Sequence, residues 1–184
     1  MFRAAIAVIM TLVATSTGAT EAGWALLRSG GQVVLISHAQ APGSGDPGNF
    51  DVENCTTQRN LSDRGRQQAR RMGALFFAKA APIERVLTSR YCRARDTAEM
   101  AFGDNTLEEF PALDYAEPGS EAEKEQTETV LERIRNYSGA GNLLMVTHPP
   151  NIEALVGITP RDGEAIILSR GGDTLEAAAR ITFN

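Results

Sequence analysis

Residues 32–40 read Gln-Val-Val-Leu-Ile-Ser-His-Ala-Gln, an apolar β-branched run that stops on a histidine. Four consecutive apolar side chains with no polar alternation describe a strand buried on both faces, the habit of a parallel sheet. Residues 142–150, Asn-Leu-Leu-Met-Val-Thr-His-Pro-Pro, repeat the pattern, and the two prolines suit the first turn of a short helix through Val156. Working outward, Ser62 caps a helix over residues 63–79 in which Ala69, Met72 and Phe76 recur at core spacing. Residues 85–88 form a short strand, and residues 89–102 a helix stopped by Gly103. A capping box, Ser120 with Glu123, opens a third helix that buries Val130, Leu131 and Ile134 and ends before Gly139. Residues 165–169 and 175–183 close the chain as a hairpin across Gly171 and Gly172. Strands alternating with helices predict an α/β fold, a three-layer sandwich with a mostly parallel central sheet. Ligands of such sheets sit at the carboxyl ends of the strands. Both histidines fall there, and Arg90, Arg93 and Arg95 follow a third strand.

The 184 residues suit a single domain, and 42% hydrophobic with 22% charged residues exclude a fibre or a disordered tail. A net charge of −5 gives no global attraction to nucleic acid or to an anionic membrane. Of 18 basic residues only Lys79 and Lys124 are lysine, so cationic recognition here means arginine. His38 and His148 are the only histidines.

The amino terminus carries Arg3, an apolar stretch over residues 4–14 and small residues at Thr17 and Ala19. That is the pattern of a secretory signal peptide spanning residues 1–19, with Ala22 a second candidate cleavage site. Residues 20–184 are then the exported domain, periplasmic or secreted, with no stable membrane span. The apolar stretch is about half the roughly 20 residues a spanning helix needs. Cys55 and Cys92 suit an oxidising compartment as a disulfide, two buried thiols being the other reading. Their spacing matches no redox or zinc pattern, and no metal or other cofactor is expected.

Two imidazoles and an arginine gathered at strand ends suit an anion. Imidazole can attack phosphorus or donate hydrogen bonds to phosphoryl oxygens, and arginine can neutralise the oxygens as charge moves. At this point a resemblance becomes visible. VVLISHAQ (33–40) resembles the signature strand of the histidine phosphatase (phosphoglycerate mutase-like) superfamily, LSDRGRQQAR (61–70) its first helix start, VLTSRYCRARDTAE (86–99) its Ser-Ser-x-x-x-Arg-Ala segment, and MVTHPPNIEAL (145–155) its second-histidine strand. The resemblance implies that His38 is phosphorylated transiently, that Arg93 binds the phosphoryl group and that His148 holds it, without a metal. Arg90 and Arg95 match no such position and read as a solvated helix face. Thr147 offers a weak additional hydroxyl.

The pattern breaks at Ser37, where the family carries a phosphate-binding arginine. A serine hydroxyl supplies one neutral hydrogen bond, and losing the charge is expected to cost about 2–5 kcal/mol, roughly 30- to several-thousand-fold in rate. Arg59 has two readings, a substitute that swings into the pocket or an exposed loop arginine. The general acid is open between Glu117 and Asp114, with a solvated acidic loop as the alternative for both.

Two functions are consistent with these residues. One is a phosphomonoesterase working through phosphohistidine on His38, acting on a small phosphorylated molecule or an envelope sugar phosphate. The other is an impaired pseudophosphatase that binds phosphorylated ligands. Residues after His38 lack the Ser-x-Trp-Asn pattern of the mutase branch, and a thiol–disulfide enzyme lacks its motif.

Overall fold

The computed structural model describes residues 17–104, 107–169 and 175–183. The apolar leader stretch and the turn at Gly171 and Gly172 lie outside the described residues. Among these residues six strands form one sheet: β1 (Val33–Ser37), β2 (Ile83–Thr88), β3 (Leu107–Glu109), β4 (Asn142–Thr147), β5 (Glu164–Ser169) and β6 (Glu176–Thr182), in the order β3-β2-β4-β1-β5-β6. The first four of that order pair in parallel; β5 runs antiparallel to β1, and β6 to β5. The expected hairpin therefore exists as the β5–β6 pair at one edge.

Among the described residues five helices cover the two faces: α1 (Thr17–Ser29), α2 (Asp63–Ala78), α3 (Cys92–Phe102), α4 (Glu121–Arg135) and α5 (Pro149–Val156). Because side chains alternate along a strand, Val34 and Ile36 of β1 pack with Trp24 and Leu27 of α1, Met72 and Phe76 of α2 and Ala94 and Ala98 of α3. Val33 and Leu35 face the other way, onto Val130 and Ile134 of α4 and Ile152 of α5. The result is the three-layer α/β sandwich that the buried strands imply.

Two elements carry no clear sequence signal. Helix α1 begins within the leader-like segment, yet Trp24 and Leu27 are core residues, with Trp24 edge-on to Phe76 and Phe183. Strand β3 is three residues long and mostly exposed, too short for any periodicity. Leu131, expected inside, is only half-buried, because α4 offers the sheet a narrow stripe through Val130 and Ile134.

Strand register sets where the chemistry-bearing side chains emerge. Ser37 pairs with Thr147 at the ends of β1 and β4, and the His38 amide donates to the Thr147 carbonyl at 2.9 Å. Ser89, just beyond β2, donates its amide to Val146. Three neighbouring strands thus end in register at one edge of the sheet.

Candidate functional site

The shared strand edge brings the His38 and His148 rings to 5.4 Å between centroids, inclined at 66°. Both rings are buried, and so is Arg93, on the first turn of α3. They line a cleft of about 500 Å³ with Asp46, Phe50, Arg59, Tyr91, Tyr115, Glu117 and the prolines that open α5. Two grooves of about 640 and 720 Å³ lie elsewhere on the chain, and neither is lined by a histidine.

Hydrogen bonds settle where the protons sit on the two rings. His38 Nδ1 is 2.9 Å from the Ala39 carbonyl, which can only accept, so Nδ1 carries the proton and Nε2 keeps its lone pair. Nε2 has no partner. Ser89 Oγ gives its hydrogen to the Asp114 carboxylate at 2.9 Å and accepts the Tyr91 amide. It therefore receives the N–H of His148 Nε2 at 3.0 Å, leaving His148 Nδ1 toward the cleft without a partner. Burial pulls the pKa of His38 down to about 4, with the Arg93 and Arg59 charges adding to it, and the ring is neutral at ordinary pH. Burial also holds the pKa of His148 well below the usual imidazole value, helped by His38, Arg93 and Arg59.

Arg93 is fixed from one side. Its Nη1 contacts both carboxylate oxygens of Asp46, at 2.9 and 3.1 Å, while Nε has no partner. Tyr91 lies 4.8 Å from its guanidinium carbon, and Phe50 stacks on Tyr91 with centroids 4.8 Å apart. Arg59 lines the same cleft. Its amide donates to Asp46 Oδ1 at 3.0 Å, its Nη1 to the Gly43 carbonyl, and its buried Nε has no partner. Among the described residues five buried side-chain polar atoms lack a hydrogen-bond partner. Four of them (His38 Nε2, Arg59 Nε, Arg93 Nε and His148 Nδ1) belong to residues lining this one cleft.

The loop from β1 to α2 is held in place by the Cys55–Cys92 disulfide, whose Cα atoms are 5.7 Å apart. Gln58 reinforces it, accepting from the Cys92 amide and donating to the Asp51 and Val52 carbonyls.

Of the other residues expected at the site, Glu117 lines the cleft and the rest fall elsewhere. Ser37 is fully buried and does not line the cleft; its hydroxyl points to the His38 carbonyl at 3.4 Å, because a strand residue next to His38 faces the other side of the sheet. Thr147 donates to the Leu113 carbonyl and accepts from Asn151, so its hydroxyl is already engaged. Asp114 is buried and doubly used, pairing with Arg90 at 2.7 Å while holding Ser89. Arg90 is thus tied into the site's support and is not part of a solvated face. Arg95 reaches the Sγ atoms of Cys55 and Cys92. Glu117 stands on the rim, exposed, accepting from the Tyr115 hydroxyl. Asp46 and the Phe50–Tyr91 stack are the site features that sequence reading does not find. Their only trace is the Gly-Ser-Gly-Asp-Pro-Gly run over residues 43–48, which announces a loop and not its destination.

The model of the family described as histidine phosphatase superfamily (branch 1) matches residues 33–114, which hold β1, α2, α3 and the loop between them. Solved structures share the fold across most of the chain. The protein named as the putative phosphohistidine phosphatase SixA of Agrobacterium tumefaciens is 20% identical over 82% of this chain and 97% of its own, with a TM-score of 0.59. A protein histidine phosphatase SixA complexed with tungstate gives 20% identity, 82% and 96% coverage and a TM-score of 0.58. Phosphoglycerate mutase from Thermus thermophilus gives 17%, 83%, 99% and 0.57 in the same order. No curated protein matches in sequence. The family model thus matches somewhat under half of the chain, and the solved structures share its fold.

Proposed function

We propose that this chain is a phosphomonoesterase in which His38 Nε2 takes the phosphoryl group and then passes it to water. The observation that carries the reading is the convergence of four unpartnered buried nitrogens on one cleft, two of them on arginines. A neutral imidazole with its lone pair on Nε2 is a nucleophile. Arg59 and Arg93 supply the positive charge that the transferring oxygens need, a demand that requires no metal. Attack by Nε2 forms the P–N bond as the P–O ester bond breaks; water then attacks phosphorus and releases phosphate and neutral His38. Once the phosphoryl anion lies between the rings, His148 takes a proton from solvent on Nδ1 and donates to it, its ring kept in orientation by Ser89 and Asp114. The SixA protein histidine phosphatase solved with tungstate, an oxyanion shaped like phosphate, fits this use of the cleft.

The arginine that family members carry before the nucleophile is Ser37 here, and Arg59 is the charge that takes its place at the cleft. We assign the protein to an exported, envelope-facing role on a small phosphomonoester or sugar phosphate, on the strength of the leader-like residues 1–19 and of a disulfide that suits an oxidising compartment. No described helix is long and apolar enough to cross a membrane.

Hydrolysis of p-nitrophenyl phosphate by residues 20–184 tests the reaction. The wild type is expected to turn over and to leave an acid-labile, base-stable phosphoryl adduct after rapid quenching; His38→Ala loses both, with the rate down at least about 10³-fold. An inert wild type that still binds vanadate tightly would make the protein a phosphate-binding pseudophosphatase instead.

A further inference from the structure

We propose that Asp46 is the proton donor to the leaving group, the role for which Glu117 and Asp114 are the apparent candidates. The inference rests on the phosphomonoesterase reading above. A phosphoester oxygen bound to an alkyl carbon leaves poorly as the free alkoxide, so a carboxyl group within reach of it is worth about 10²–10⁴-fold.

Of the two apparent candidates, one is fully engaged and the other faces solvent. Both oxygens of Asp114 are bound, to the Ser89 hydroxyl and Arg90 amide on one and to the Arg90 guanidinium on the other. Giving a proton from there would dismantle the support of His148. Glu117 is exposed at the rim beside Tyr115, in water.

Asp46 differs from both in position. Its side chain is 13% exposed, sits on the cleft wall, and bridges the two arginines that flank the phosphoryl seat, through the Arg93 guanidinium and the Arg59 amide. The contact with Arg93 uses Nη1 alone and leaves the buried Nε free of any partner, so the carboxylate lies beside the anion-binding edge of the guanidinium and does not cover it. A phosphoryl group on Arg93 Nε and Arg59 Nε would therefore sit against the carboxylate. Two anions in one partly dry cleft favour a shared proton between them. A phosphomonoester monoanion brings that proton with it, its second ionisation lying near pH 6.

The steps balance. Asp46 takes the proton of the bound monoanion and delivers it to the ester oxygen as the P–O bond breaks and the P–N bond to His38 forms, releasing a neutral alcohol. In the second half the Asp46 carboxylate accepts a proton from the water that attacks phosphorus. The P–N bond breaks, Asp46 passes that proton to the departing phosphate, and dihydrogen phosphate leaves with Asp46 again a carboxylate.

The test compares a good leaving group with a poor one, p-nitrophenyl phosphate and β-glycerophosphate, in wild type, Asp46→Asn and His38→Ala, with vanadate inhibition measured on each. The expected result is a loss in Asp46→Asn about 100-fold larger for the alkyl ester than for the aryl ester, with vanadate still bound. Equal losses on both esters would overturn the proposal and reduce Asp46 to a positioning residue for Arg93. A gain on both esters with tighter vanadate binding would also overturn it, since the carboxylate would then be a competitor for the seat. Failure of the phosphatase reading itself shows separately, as a wild type without turnover or a His38→Ala variant that keeps it. Asp46→Glu guards against a misfolded loop: it restores part of the alkyl activity only if a carboxyl group is what the step needs.

Discussion

On the proposed reading, the charge absent at position 37 comes from Arg59, a loop residue 22 positions further on, whose amide is captured by Asp46 and whose Nη1 is tied to Gly43. Arg59→Ala is therefore expected to cost about 2–5 kcal/mol of transition-state binding, a fall in kcat/KM of roughly 30- to several-thousand-fold on p-nitrophenyl phosphate. Arg59→Lys recovers little, because a point charge does not replace the planar fork. A steady-state comparison of the two variants with wild type decides it; losses below about threefold would return Arg59 to the status of a loop residue. The histidines were legible in the sequence because each follows a buried strand, and strand ends fix side chains in space. Arg93 was legible for the same reason, one short turn beyond β2. Arg59 could be named only as one of two readings, and Asp46 not at all, because their placement follows from contacts between residues 13 positions apart and not from any local pattern.

Among the elements, the loop between β1 and α2 is the one that has to be built. It carries no regular structure beyond a single 3-10 turn at Cys55–Thr57, so its course depends on the disulfide, on Gln58 and on the Phe50–Tyr91 stack. Gly45 precedes Asp46 with φ at +72°, a conformation that a side chain strains, and Pro47 biases Asp46 toward extended backbone. The Cys55–Cys92 bridge spans 37 residues, and closing a loop of that size in the unfolded chain is worth about 4 kcal/mol in the entropic model. Reduction is accordingly expected to lower the midpoint of thermal unfolding by about 10 °C in a domain of this size. It should also raise KM, because Cys92 neighbours Arg93 on α3 and Cys55 lies four residues from Arg59. Melting curves and Michaelis plots with and without dithiothreitol measure the two effects, and an unchanged KM would show that Gln58 and the aromatic stack hold the loop unaided. The long helices and central strands could be read from periodicity and caps, α2 and α4 beginning after the serines that cap them. Strand β3 and helix α1 could not, since one is too short for a period and the other sits in a segment that reads as a leader.

For the whole molecule, the price of a dry site is acid sensitivity. His38 has a folded-state pKa near 4 against an ordinary value of 6.5, and His148 is also held well below that value. Between the two His38 values the unfolded chain binds protons that the folded chain refuses, so stability rises with pH through that window and is lost as pH falls from about 6.5 toward 4. For His38 alone the full window is worth about 3 kcal/mol. Asp96 and Asp162, whose burial raises their pKa values, run in the opposite direction, so the raw pH dependence of the wild type mixes several groups. The difference between wild type and His38→Ala removes those acidic groups from the comparison and reports His38 together with its coupling to His148. Urea unfolding at pH 7, 5 and 4 is expected to show wild type losing stability relative to His38→Ala by about 2 kcal/mol at pH 5 and by about 3 kcal/mol at pH 4. Saturating vanadate should shrink that difference, since an anion between His38, His148 and the two arginines stabilises the protonated rings that burial alone forbids. Parallel curves for wild type and variant across the three pH values would mean that His38 meets solvent more freely than its neighbours Arg93 and Arg59 allow in this fold, and the nucleophile would then be protonated, and silent, well above pH 4.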